Sequence, residues 1–214
     1  MKQGLTLFLL LFLSSTLVFG QFAKGNFFIQ GSSSIGFSTE KYTYISGGTS
    51  TESSKSTHFG FKPKVGFFVI ENLPVGLAIH VDTYKSKGID TDNENSSNDF
   101  IIGPFARYYF LPQEKLKPTA ELYVGFGGSK DKSTYSGNKT ESKYGIFEFS
   151  IGAGASYFVT EHVAFDVLIA YNSTKYNLKS QTSPSDAKSI AAEDQSDKYT
   201  GIGINIGIAV TLPE

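Results

Sequence analysis

Gly201-Ile202-Gly203-Ile204-Asn205-Ile206-Gly207-Ile208-Ala209-Val210-Thr211-Leu212 alternates without a break. Ile202, Ile204, Ile206, Ile208, Val210 and Leu212 fall on one face of an extended chain. Gly201, Gly203, Asn205, Gly207, Ala209 and Thr211 fall on the other. Side chains of a strand point to opposite faces with a period of two, so this stretch is a strand whose two faces meet different surroundings. A helix of the same composition would wrap isoleucine around its whole circumference.

The pattern recurs upstream. Val163, Phe165, Val167, Ile169 and Tyr171 oppose Ala164, Asp166, Ala170 and Asn172, with Leu168 the misfit on the polar face. Residues 147–157, 120–127 and 75–84 alternate in the same way, while 58–69 and 100–110 are less pure. A first strand over about 26–38 is blurred by Ser32, Ser33 and Ser34, which makes eight strands. Polar connections at roughly 45–57, 85–99, 129–142 and 173–198 are long; those at 71–74, 111–118 and 160–161 are short. Long and short alternate strictly. That is the plan of an eight-stranded antiparallel up-and-down barrel with tight turns at one rim and long loops at the other. Ala187 to Asp194 is expected to form a short helix in the longest loop.

Composition agrees. The 214 residues include 22 glycines, 19 phenylalanines and 12 tyrosines, with neither cysteine nor tryptophan. Such a chain has few strong helix formers and no thiol nucleophile, thiolate metal site or disulfide. With 19 basic and 20 acidic side chains it has no global field for nucleic acid.

A soluble barrel buries its apolar face inward, and a membrane barrel turns it toward lipid. The polar face decides between them. It is rich in glycine and small residues, as a narrow lumen requires. Its charges are sparse and nearly cancel: Lys62, Lys64 and Arg107 against Asp82, Glu121, Glu148 and Asp166. These seven read as an interior charge network, and Arg107 is expected to pair with Asp82 and Glu121 on the two neighbouring strands. A solvated outer face is the alternative. Phe67, Tyr108, Phe110 and Tyr157 near the short-turn rim, and Phe59, Phe100, Phe147 and Tyr171 toward the long-loop rim, make two aromatic girdles.

Residues 1–20 read as a signal peptide, with Lys2 as the basic region, Leu5 to Phe19 as the apolar core, and a cut before Gln21. A transmembrane helix competes, but it needs about 20 apolar residues, and Ser14, Ser15 and Thr16 interrupt this run. Residues 21–214 then form one barrel domain. An exported closed barrel belongs in the bacterial outer membrane, with the long loops extracellular and the short turns periplasmic.

The segments Pro63-Lys64-Val65-Gly66-Phe67-Phe68-Val69 running into Val75-Gly76-Leu77, Gly103 to Phe110, and Tyr157 to Phe165 resemble small eight-stranded outer-membrane β-barrel proteins, especially those of Bacteroidetes-type bacteria. The resemblance covers the whole chain after the signal. It implies outer-membrane lipids and the barrel-insertion machinery as partners. Such barrels often end on an aromatic residue; this chain ends Leu212-Pro213-Glu214, although Asn205 to Leu212 fits a looser insertion signal.

Chemistry is harder to find. His80 and Asp82 share the inward face of one strand and could polarise a serine or a water, yet no serine is placed beside them. His58 and His162 lie at opposite strand ends, which disfavours a shared metal site. No cofactor is implied. The leading expectation is a non-enzymatic barrel with a structural or surface-interaction role through its loops, whose ligand the sequence does not name. A narrow pore for water or small solutes, a lipid-modifying or proteolytic enzyme using His80 and Asp82, and a soluble lipid carrier are the alternatives. Conductance and detergent dependence separate them.

Overall fold

The computed structural model describes residues 22–46, 49–88, 93–110, 115–135, 137–183, 186–190 and 196–213. The expected signal at 1–20 lies outside the described residues. The strands are β1 (Phe27–Ser46), β2 (Thr49–Ile70), β3 (Leu73–Gly88), β4 (Glu94–Tyr109), β5 (Leu116–Tyr135), β6 (Asn138–Phe158), β7 (Val163–Ser183), β8 (Asp186–Ile190) and β9 (Ser196–Leu212). Each of β1 to β7 pairs antiparallel with the next, and β9 pairs with both β7 and β1. The sheet therefore closes on eight staves. Among the described residues the short β8 pairs only with β7 and is no stave of the barrel.

The strands run well past the apolar bands that identify them in the sequence. The expected long loops at 45–57, 85–99, 129–142 and 173–198 are largely continuations of the staves, forming laddered hairpins. Ser, Thr, Lys and Asn occupy both faces there, so hydropathy shows no alternation. The ladder needs none, because its backbone hydrogen bonds are independent of side chain and Thr and Tyr favour strands. The expected helix at 187–194 is overturned over 187–190, since Asp186–Ile190 is β8, drawn into the sheet by pairing with Gln181 and Ser183; residues 191–194 lie outside the described residues.

The turns follow local chemistry. Ile70 pairs with Leu73, and Asn72 between them takes φ +66°, a left-handed conformation that asparagine tolerates. Tyr135 pairs with Asn138 around Gly137 at φ +81°. Gly66 and Gly76 face each other across β2 and β3, and a Cβ on either would overlap the partner's backbone. Two glycines here let the staves approach closely.

Face assignment follows the alternation. Ile202, Ile204, Ile206 and Ile208 point outward and are exposed, as are Leu77, Ile102, Phe126, Ile151 and Val167. So are all eight girdle aromatics. The buried set lies in the lumen and mixes aromatic with charged side chains: Phe28, Phe68, Phe105 and Tyr109 beside Lys64, Arg107, Glu121, Glu148 and Asp166. The outer face offers lipid what a soluble protein would hide.

Candidate functional site

The lumen divides into three levels. Nearest the short turns it is stoppered by aromatic rings. Phe22, preceding β1, sits with its ring centroid 4.8 Å from Tyr109, 5.4 Å from Phe158 and 5.5 Å from Phe68. Backbone bonds hold it there: Asn72 N–H donates to the Phe22 carbonyl at 3.0 Å, and Gly25 N–H to the Phe68 carbonyl at 2.9 Å. The Lys117 ammonium lies 4.8 Å from the Phe22 ring and 5.3 Å from Phe158, a cation–π arrangement. Sequence reasoning missed this plug. Its signal was present, since Phe28, Phe68, Phe105 and Tyr109 are large residues on the small-residue face, and Phe68 and Tyr109 lie next to the short turns.

Above the plug lies a charge layer. Arg107 donates from Nε and Nη2 to Glu121 at 2.8 and 2.6 Å, from Nη1 to Asp166 at 2.6 Å, and from Nη2 to the Gln30 side-chain oxygen at 3.0 Å. Gln30 Nε2 donates to the same Asp166 oxygen at 2.6 Å. Lys64 pairs with the other oxygen of Glu121. One step higher, Lys62 reaches Glu148 Oε1 at 2.8 Å and His80 Nδ1 reaches Oε2 at 3.1 Å. Lys62 also caps the ring of Tyr123, 4.4 Å from its centroid. Three cations thus meet three carboxylates. The space left among them is about 20 Å³, room for no solute larger than about one water.

Six of the seven expected network residues meet here. Asp82 does not. It takes His58 Nε2 at 2.7 Å, higher in the barrel and partly exposed. Register explains the miss, because Asp82 is level with Asp99 whereas Ala106, next to Arg107, is level with Val75. Asp166, from the far side of the barrel, takes the place expected for Asp82. The His80 and Asp82 pairing is likewise divided between Glu148 and His58. Neither histidine bonds a serine or threonine hydroxyl among the described residues.

At the long-hairpin end the lumen opens into a cup of about 410 Å³. Asp99, Asp131 and Asp197 line it together with Tyr144, Tyr176 and Tyr199. All six lie beyond the apolar band. Tyr176 donates to Asp99 at 2.8 Å. Burial, then the Asp99 carboxylate, raise this phenol above its ordinary range, so it remains a donor. Among the described residues, no three His, Cys, Asp or Glu side chains are grouped to hold a metal ion.

No curated protein sequence matches the chain. Among solved structures it is similar to Neisserial surface protein A (NspA), at 20% identity over 86% of this chain and 96% of that one, with a TM-score of 0.42. A major outer membrane protein from Thermus thermophilus is 12% identical over 87% and 98%, with a TM-score of 0.49. OprG from Pseudomonas aeruginosa is 16% identical over 91% and 99%, with a TM-score of 0.40. The family model for the outer membrane protein beta-barrel domain matches residues 7–209, nearly the whole chain. With its closed staves and outward apolar band, the chain belongs to the outer membrane protein beta-barrel domain family and resides in the bacterial outer membrane.

Proposed function

We propose that this barrel is a non-enzymatic surface protein that holds polar β-hairpins above the membrane as an interaction platform. Its long-hairpin end faces the cell exterior and its short turns face the periplasm. The observation that carries this reading is the one-sided overrun of the staves. β7 leaves its apolar band at Tyr171 and continues to Ser183, and β5 and β6 continue to Tyr135 and Asn138. The opposite ends stop close to their girdles, as at Phe158 and Tyr109. Laddered hairpins hold their backbone groups in place, so a partner binding them loses less ordering entropy than one that must fix flexible loops. The plugged lumen argues against a through pore. The division of His80 and Asp82 between separate partners argues against a catalytic dyad.

The same reading takes residues 1–20 as an export signal removed before Gln21. Phe22, tied to Asn72 at the short-turn end, is the second residue of a chain cut there. The motifs around Pro63, Gly103 and Tyr157 support a Bacteroidetes-type origin.

A chain without cysteine gives a clean background for site-directed labelling. Gly137→Cys in the β5–β6 turn should react with an impermeant maleimide on intact cells. Glu161→Cys, in the short turn before β7, should react after the outer membrane is permeabilised. The reverse pattern would invert the orientation and remove the platform.

A further inference from the structure

We propose that the cup at the long-hairpin end is a binding site for a small organic cation carrying an ammonium or guanidinium group. It deepens the platform reading and rests on it for access from outside the cell, though not for binding itself. Size comes first. At about 410 Å³ the cup lies within the range of small-ligand sites, whereas the charge layer beneath it leaves about 20 Å³.

Charge comes second. Glu121, Asp166 and Glu148 are each matched by Lys or Arg, and Asp82 by His58. Asp99, Asp131 and Asp197 have no cationic partner among the described residues. The nearby lysines are on the other face of their strands. Lys130 alternates with Ser129 and Asp131 and pairs with Glu141 at 2.9 Å. Lys175 and Lys198 sit opposite each other, out of phase with Thr174 and Tyr176 and with Asp197 and Tyr199.

The third observation is aromatic and separate from the carboxylates. Tyr144, Tyr176 and Tyr199 form an edge-to-face chain along the wall, with centroids 6.3 and 5.7 Å apart and interplanar angles of 85° and 88°. Tyr199 remains 64% exposed. Tyrosine faces attract cations through their quadrupole, and most strongly those with little hydration. Guanidinium and alkylammonium groups meet that condition better than a divalent metal, which demands a close shell of oxygens. The carboxylates are also preset. Ser97 Oγ donates to Asp131 at 2.7 Å and lies 3.3 Å from Asp99, while Ser129 Oγ donates to Asp131 at 2.9 Å.

The test is calorimetric titration of the full chain, purified in detergent at low salt, with agmatine, which carries one guanidinium and one ammonium. Saturable one-site binding is expected. The combined Asp99→Asn and Asp131→Asn variant should bind at least about tenfold more weakly, and Tyr176→Leu should also weaken binding. Both should keep the heat-modifiable gel shift of a folded barrel. If the double variant loses that shift, Asp197→Asn at an exposed position takes its place, with severalfold weakening expected. Absence of saturable heat, equal affinity in the folded variants, or saturable calcium binding that displaces agmatine would each overturn the proposal. None of these results bears on the maleimide pattern, so site and orientation fail separately.

Discussion

Arg107 has five N–H donors, and each has an acceptor: Glu121 twice, Asp166, Gln30 and, at 3.5 Å, the Tyr109 hydroxyl. It is about 1% exposed. A guanidinium so placed contributes little net stability over an apolar filling, but removing it strands its partners at a cost of about 3–5 kcal/mol. Arg107→Ala should therefore lower the urea midpoint of the folded gel band. Asp166→Asn should relieve part of that loss, because Asp166 has no other cationic partner among the described residues. Glu121→Ala should relieve less, since Lys64 would then be left buried without a carboxylate partner among the described residues. Strict additivity in the first pair would show that Arg107 and Asp166 do not interact. Of the two partners, Glu121 was legible in the sequence and Asp166 was not. Glu121 sits directly opposite Arg107 on the next stave, within reach of neighbour reasoning. Asp166 comes across the lumen, and its level depends on the cumulative register of every stave between.

At the scale of the strand, β9 separates lipid from lumen within a single residue step. Ile206 is 58% exposed on the outer face, while Asn205 turns inward beside the charge layer. Ile206→Arg should destabilise the barrel by about 2–4 kcal/mol if it lies near the bilayer midplane, falling toward an interface. Asn205→Ser should change little. Folding yield into lipid vesicles across a urea series measures both, and equal tolerance would deny β9 a lipid face. The eight staves were legible because lipid imposes a strict period of two wherever it touches the chain. Beyond the band that pressure ceases. Water accepts Ser, Thr and Lys on either face, so Asn138 to Ser142 and Thr174 to Ser183 carry no alternation although they are laddered. The cup was unreadable for the same reason: its acidic and aromatic residues lie on hairpins whose register hydropathy does not set.

For the molecule as a whole, two seals lie in series across the lumen. One is the aromatic stopper around Phe22, Phe68, Tyr109 and Phe158; the other is the neutral layer of three cations and three carboxylates around Arg107. They act by different physics. The stopper excludes water by filling the bore with rings packed 4.8 to 6.3 Å apart. The charge layer fills its level with bonded side chains and leaves about 20 Å³. An ion crossing it would have to compete with contacts already made in a low dielectric. Eight staves leave a bore just wide enough for side chains, so either level alone suffices to block it. In planar-bilayer recordings the wild-type barrel should therefore give no stepwise conductance. Phe22→Ala alone should stay silent, because the Arg107 layer remains, and Arg107→Ala alone should stay silent behind the rings. The two together should open steps whose size responds to salt. Steps from the wild type would make the lumen a pore. Steps from Phe22→Ala alone would place the whole resistance in the stopper and leave the charge layer a purely structural tie between staves.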